Sequence, residues 1–175
     1  MKILITGPQG SGKSTQANLL ADFLNLPFIG IGALLREHVL SGSQHADMID
    51  KALSSGEFAD EVTVAKIFQE RVSREDCKNG FVADGYPRSE GQLKFFNPQY
   101  EKVILLSAPE STLVKRLLKR GRVDDVPELI KRRLELYNSE TAPIMKKYED
   151  EGVVVHIDSS GEIEETQGMV RRIFQ

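Results

Sequence analysis

A chain of 175 residues with 40% hydrophobic residues, 28% charged residues and a formal net charge of -3 has the size and composition of one globular domain with a full core. The net charge gives no hint of nucleic-acid binding, although local arginine clusters can still matter, and no apolar run is long enough to cross a membrane. Cys77 is the single cysteine and His38, His45 and His156 lie far apart, which excludes a disulfide framework and a zinc site of the usual spacing. The expectation is a monomer in a reducing cytoplasm.

Taken in order, Lys2-Ile3-Leu4-Ile5-Thr6 is an apolar run rich in β-branched residues and predicts a strand. Gly7-Pro8-Gln9-Gly10-Ser11-Gly12-Lys13-Ser14 follows and satisfies G-x-x-x-x-G-K-[ST]; Leu19, Leu20, Phe23 and Leu24 then recur at helical spacing. A glycine-rich loop between a strand and a helix is the setting of a phosphate-binding loop. Its backbone N–H groups and the helix dipole face the anion, Lys13 reaches the β- and γ-phosphates, and the Ser14 hydroxyl is placed for Mg²⁺. The loop therefore predicts a nucleoside triphosphate as ligand.

Pro27-Phe28-Ile29 predicts a short second strand, and Leu34, Leu35, His38 and Val39 a helix carrying Arg36. Ser41-Gly42-Ser43 breaks that helix ahead of another through Met48, Ile49 and Leu53. Residues 30–60 read as an insertion at the carboxyl end of a strand, where open α/β sheets bind ligands. Asp60 is a predicted N-cap for a helix with Val64, Ile67, Phe68 and Val72 on one face. Gly80 to Asp84 predicts a buried strand ending on a carboxylate, and Gly85-Tyr86-Pro87-Arg88 its loop. Phe95, Phe96 and Tyr148 are expected in the core.

Lys102 to Leu106 predicts the next strand; a helix beginning near Pro109 ends in Lys119-Arg120-Gly121. Asp125, with Glu128 three residues on, predicts a capping box at the head of a long helix that Pro143 interrupts. Val153 to Ile157 is the last predicted strand and the segment after Glu162 the last helix. Strands alternating with helices imply a parallel sheet covered on both faces.

Several motifs in this order resemble the nucleoside monophosphate kinase family, most closely the adenylate kinases. Gly10-Ser11-Gly12-Lys13-Ser14-Thr15-Gln16 resembles the phosphate loop of that family, and Gly32-Ala33-Leu34-Leu35-Arg36 its G-D-x-L-R segment. Asp84-Gly85-Tyr86-Pro87-Arg88 with Gln92 resembles its D-G-[FY]-P-R-x-x-x-Q signature. Arg116-Leu117-Leu118-Lys119-Arg120 and Arg122-Val123-Asp124-Asp125 resemble the two flanks of its lid, and Arg133-Leu134 and Thr141-Ala142-Pro143 continue the pattern.

The resemblance implies an α/β fold of the P-loop NTPase type: a five-stranded parallel sheet with helices on both faces, in a single domain. Within it, residues 30–60 would bind the acceptor and residues 120–124 would be a very short lid. It implies reversible, Mg²⁺-dependent transfer of the γ-phosphoryl group of ATP to a nucleoside monophosphate, AMP first. Gly10, Ser11, Gly12, Lys13, Ser14 and Thr15 would hold the ATP phosphates, with Arg116 and Gly161 beside the donor base. Arg36 and Arg88 would clamp the acceptor phosphate, Gln92 would meet its base, and Ile31, Glu57 and Gly85 would line its site. Arg120, Arg122 and Arg133 would surround the transferring group, and Asp84 with Ser14 would hold Mg²⁺, Asp84 through water. Zinc, nucleic acid and membrane are not expected.

Four departures from the family pattern stand out. Ile31 replaces a threonine, Ala33 replaces an aspartate, the stretch Glu57-Phe58-Ala59-Asp60 is one residue shorter, and only Gly121 separates Arg120 from Arg122. The first three soften the expected choice of AMP, and the last predicts poor exclusion of water. A kinase for UMP, CMP or a deoxynucleotide and a non-catalytic nucleotide-binding regulatory module are the competing readings at this stage.

Overall fold

The computed structural model describes residues 1–122 and 125–175. Five strands, β1 (Lys2–Thr6), β2 (Phe28–Gly30), β3 (Phe81–Asp84), β4 (Lys102–Ser107) and β5 (Val154–Asp158), form one parallel sheet in the order β2-β3-β1-β4-β5. In the centre, Ile5 of β1 lies opposite Asp84 of β3 and Ile104 of β4. The carboxyl ends of β1 and β3 are thereby brought together, and that edge carries the site.

Alternation along the strands builds two cores, because successive side chains leave opposite faces of a pleated strand. Ile3 and Ile5 join Val82, Ile104, Leu106 and Ile157 on one face, where Ala17 and Leu20 of α1 (Lys13–Leu24) and Val170 of α9 (Ile163–Arg172) cover them. Leu4, Phe81, Ala83 and Val103 point to the other face. There they meet Leu35 of α2 (Ile31–Leu40), Ile49 of α3 (Ala46–Ser55), Phe68 of α4 (Glu61–Val72), Leu93 of α5 (Glu90–Phe95) and Tyr148 of α8 (Ala142–Asp150). Phe68 stacks on Tyr86, with ring centroids 4.1 Å apart and planes 8° from parallel.

Local chemistry sets most helix ends. The Asp60 carboxylate accepts the Thr63 N–H at 2.8 Å and heads α4 as expected. Ser89 heads α5, a six-residue helix that sequence periodicity did not disclose. Helix α6 (Glu110–Arg120) ends at Gly121, whose left-handed φ of 67° turns the chain straight toward Arg122.

The capping box expected at Asp125 is not formed. Helix α7 (Pro127–Leu136) begins at Pro127 with Val126 as N-cap and no side-chain cap bond. Proline suits a first helical position, and the Asp125 carboxylate is drawn away by arginines. The expected interruption is present: a π-helical turn (Tyr137–Thr141) separates α7 from α8, with Pro143 in the first turn of α8. Of the aromatic residues assigned to the core, Tyr148 is 1% exposed and Phe96 packs against the core, but Phe95 is 55% exposed at the end of α5. No helix among the described residues is long and apolar enough to cross a membrane.

Candidate active site

The loop between β1 and α1 curls around the start of α1. Gly10 has φ 88°, and a β-carbon there would fall 2.6 Å from the Leu113 carbonyl oxygen, so α6 packs against the loop where only glycine fits. Lys13 Nζ donates to the Pro8 carbonyl at 3.2 Å, folding over its own loop. Burial lowers its pKa from 10.5 to about 8; the Asp84 carboxylate opposes that shift, and Arg88, Arg120 and Arg122 add to it.

Two cavities open at this edge of the sheet. The larger, about 690 Å³, runs along the loop from Gly10 to Gln16 and is walled by Lys115, Arg116 and Lys119 of α6 and by the turn from Ser159 to Ile163. Arg116 builds that wall, donating to the carbonyl oxygens of Ser159 at 2.8 Å, Ser160 at 3.1 Å and Gly161 at 2.8 Å. The smaller cavity, about 300 Å³, is lined by Phe28, Ala33 and Arg36, by Glu57 and Phe58, and by Asp84, Arg88 and Arg133. Lys13, Ser14, Arg120 and Arg122 line both. Whatever sits at the inner end of one cavity meets the inner end of the other among those side chains.

Asp84 stands at the end of β3, 7% exposed. Ser14 Oγ donates to its Oδ2, and Oδ1 is buried without a protein partner. A hydroxyl and a carboxylate side by side, one oxygen still open, form a hard-oxygen donor set of the kind that suits Mg²⁺. Among the described residues no group of three or more histidine, cysteine or acidic side chains could hold a metal by itself.

Arg36 and Arg88 converge. A β-carbon on Gly32 would meet Arg36 Nη1 at 3.5 Å and Arg88 Nη2 at 3.6 Å, so both guanidinium groups crowd the same glycine. The loop fixes Arg88 on several sides. Its Nε donates to the Gly85 carbonyl at 3.1 Å, its N–H donates to Gln92 Oε1 at 2.8 Å, and its carbonyl accepts from Thr141 Oγ1 at 2.7 Å. Burial lowers the Arg88 pKa, Asp84 raises it, and Arg133 and Arg36 lower it further. Arg120 donates to both carboxylate oxygens of Asp125, from Nε at 2.8 Å and from Nη2 at 2.6 Å.

A profile of the adenylate kinase family matches residues 5–153. An adenylate kinase of Bifidobacterium longum is 38% identical over 181 aligned positions that cover 97% of each chain. Those of Nocardia farcinica and Xylella fastidiosa are 35% and 32% identical, each over 94% of both chains. The chain belongs to the adenylate kinase family. The fold described above is that of the family's P-loop NTPase architecture.

Most residues expected from the resemblance meet at the two cavities of this adenylate kinase family member. Gly10, Ser11, Gly12, Thr15, Arg116 and Gly161 line the larger one; Arg36, Glu57, Asp84, Arg88 and Arg133 line the smaller. Ile31 does not: it opens α2 directly at the end of β2, is 1% exposed, and packs in the core beside Gly85. Ile31 was expected to line the acceptor site, and the structure places its side chain in the core instead. Gln92 is also 1% exposed, away from the cavity lining, with its amide oxygen committed to Arg88. Glu57 lines the cavity and pairs with Arg132 of α7. Phe58 and Phe28, which sequence reasoning passed over, supply aromatic wall, and the Phe58 ring centroid lies 6.0 Å from the Arg88 guanidinium carbon.

Proposed function

We propose that the chain catalyses reversible transfer of the γ-phosphoryl group from ATP to AMP, giving two ADP. The observation that carries this is the meeting of two cavities at Lys13, Ser14, Arg120 and Arg122. ATP in the larger cavity directs its phosphates down the loop to that junction, and AMP in the smaller brings its phosphate from the Arg36 and Arg88 side. An acceptor oxygen forms its bond to the γ-phosphorus as the bond from that phosphorus to the bridging oxygen breaks, and ADP leaves. The acceptor oxygen is already ionised near neutral pH, so no general base is required. Juxtaposing two polyanions is the barrier, and cations fixed beforehand lower it. The planar guanidinium fork is suited to that work because it grips phosphate with two parallel bonds.

Ser14 and Asp84, the latter through water on Oδ1, are the groups that would hold Mg²⁺ accompanying ATP, where it supplies charge neutralisation on the phosphates. In this reading residues 30–60 serve the acceptor side, and the very short lid assigned to residues 120–124 includes residues 123 and 124, which lie outside the described residues. Gln92 enters through Arg88, whose backbone it fixes. The net charge of -3 supports a protein that acts on small nucleotides rather than on nucleic acid, and the reading extends to a cytoplasmic monomer. AMP is the acceptor that the similarity to adenylate kinases favours over UMP, CMP and deoxynucleotides.

Purified protein with ATP, Mg²⁺ and a panel of nucleoside monophosphates, with diphosphate formation followed directly, tests the proposal. The expected result is AMP-dependent ADP formation exceeding that with every other acceptor. Nucleotide binding without turnover would overturn it in favour of a regulatory module, and preference for UMP or CMP would overturn the choice of acceptor.

A further inference from the structure

Gln9 stands at the crest of the phosphate loop. Pro8, Gln9, Gly10 and Ser11 form a tight turn: the Ser11 N–H donates to the Pro8 carbonyl at 3.2 Å, and Gly10 at the third position has φ 88°. The same carbonyl accepts from Lys13 Nζ at 3.2 Å. The Gln9 backbone is thereby fixed beside the Lys13 ammonium, where the two cavities meet. Its side chain lines the smaller cavity and not the larger. Oε1 is buried without a protein partner, and the amide makes no hydrogen bond among the described residues. With Oε1 turned inward, Nε2 is the end of the amide that faces the cavity. Ser14, the other neutral hydrogen-bonding side chain in that lining, is committed to Asp84. A polar group left unpaired in so crowded a place calls for a reason.

We propose that Gln9 is a catalytic residue: Nε2 donates a hydrogen bond to the phosphoryl group while that group passes between the two nucleotides. The inference rests on the reading of the junction as a transfer site. The amide neither gives up nor takes a proton, and the bonds made and broken remain those of the transfer itself. The cations of the lining already repel one another, and a further charge would add to that repulsion. A neutral donor offers a hydrogen bond to the oxygens of the transferring group without it. Position decides when that bond is made. Arg36 and Arg88 converge at Gly32 to hold the acceptor phosphate, and the loop amides hold the donor phosphates. Gln9 is attached to the loop but directed into the acceptor cavity, so it serves the place between them. A contact made chiefly in passage lowers the barrier rather than the energy of the bound substrates.

The test compares Gln9→Met and Gln9→Ala with wild type in the ATP-plus-AMP assay. It measures kcat and both KM values, and the separate affinities for Mg²⁺-ATP and for AMP by titration. Methionine keeps the length and bulk of the side chain and removes the amide; alanine removes both. The second position of the turn demands no particular side chain, so both variants should melt near the wild-type midpoint. In each, kcat should fall at least about tenfold, while the KM values and separate affinities stay within about threefold. A kcat for Gln9→Met within about twofold of wild type would overturn the inference, because the side chain would then act by bulk alone. Loss in Gln9→Met with retention in Gln9→Ala would overturn it too, since the methionine would then be an obstruction. So would a raised KM for AMP with kcat retained, which would assign the bond to bound AMP and not to the group in transit. Should Gln9→Met fail to fold, Gln9→Leu, also bulky and without an amide, decides by the same criteria. A wild type without turnover would overturn the proposed function itself; an active wild type with unaffected variants would overturn this inference alone.

Discussion

Replacing Lys13 by methionine should remove a proton-uptake step that accompanies ATP binding. Burial holds the Lys13 ammonium at a pKa of about 8 in the free protein, against 10.5 for an unperturbed lysine. Between those values the unfolded chain binds more protons than the folded one, so stability rises with pH through that window. Below about pH 8 the folded protein bears the full cost of keeping the charge, which by linkage amounts to about 3 kcal/mol. A triphosphate placed against Nζ reverses the balance by returning the pKa to the ordinary lysine range or above it. About half a proton per ATP should then be taken up at pH 8, about a tenth at pH 7 and about nine-tenths at pH 9.

Calorimetric titration of ATP and Mg²⁺ in buffers of different ionisation heat reads this number directly, and the terminal phosphate, with a pKa near 6, is already ionised there. Lys13→Met should show no such uptake at pH 8. Its thermal midpoint without ligand at pH 7 should rise rather than fall, because the buried charge is gone while most of the side-chain volume is kept. The ceiling on that rise is about 3 kcal/mol, less the lost bond to the Pro8 carbonyl. Equal proton uptake in wild type and variant at pH 8 would refute the reasoning. It would mean that Lys13 is fully protonated before the nucleotide arrives.

Arg122→Ala should lower AMP-dependent transfer by roughly 10²–10³-fold in a steady-state assay, as for loss of a group that stabilises developing charge. With ATP and Mg²⁺ but no acceptor, wild type should release phosphate slowly and above a Lys13→Met control, because so short a turn shields the γ-phosphate poorly from water. Asp60→Ala should cost about 1 kcal/mol through loss of the α4 cap, read as a midpoint fall of roughly 2–4 °C. The bonds from the Thr63 backbone and hydroxyl hold the Asp60 pKa below 3.8; the difference between wild type and Asp60→Ala should therefore be complete above that pH and shrink as the pH falls through the lowered value.

The sheet and its order of helices were legible because their signals are local. Lys2–Thr6 is a short apolar run ended by Gly7, Phe81–Asp84 is one bounded by Gly80 and Gly85, and Asp60 caps a helix through a residue three positions on. Where a distant partner competes, local reading failed. Asp125 and Glu128 have the spacing of a capping box, but two charge-assisted bonds from a guanidinium outweigh one bond from a backbone amide. Helix α5 is only six residues long, too short for periodicity to register, and its Ser89 cap also bonds Glu61, far back in the chain. Ile31 was misplaced because the start of α2 at the very end of β2 decides which way its side chain turns, and residue type alone does not specify that junction. Phe95 and Phe96 differ by one position at the end of α5, yet one faces solvent and the other the core. The arginines were found through ordered motifs rather than through any property of an isolated arginine.

The same electrostatics account for both the strain in the free protein and its activity. Lys13, Arg36, Arg88, Arg120, Arg122 and Arg133 all line the acceptor cavity, while Glu57 and Asp84 are the acidic residues in that lining. Burial first, and then repulsion from neighbouring arginines, lowers the pKa values of Lys13 and Arg88, so both register the crowding. A site so built is held open against repulsion by the packing of two cores and by the carboxylates of Asp84 and Asp125. Substrate phosphates relieve that repulsion, so binding should stabilise the fold beyond what contact area alone provides. Part of that relief is available only when the phosphates of both nucleotides meet at the residues common to the two cavities. Charge placed in advance at that junction interacts most strongly with the configuration in which the phosphoryl group lies between donor and acceptor. The free protein is therefore least comfortable where the transferring group is best accommodated, and a variant that eases the crowding should gain stability at the expense of turnover.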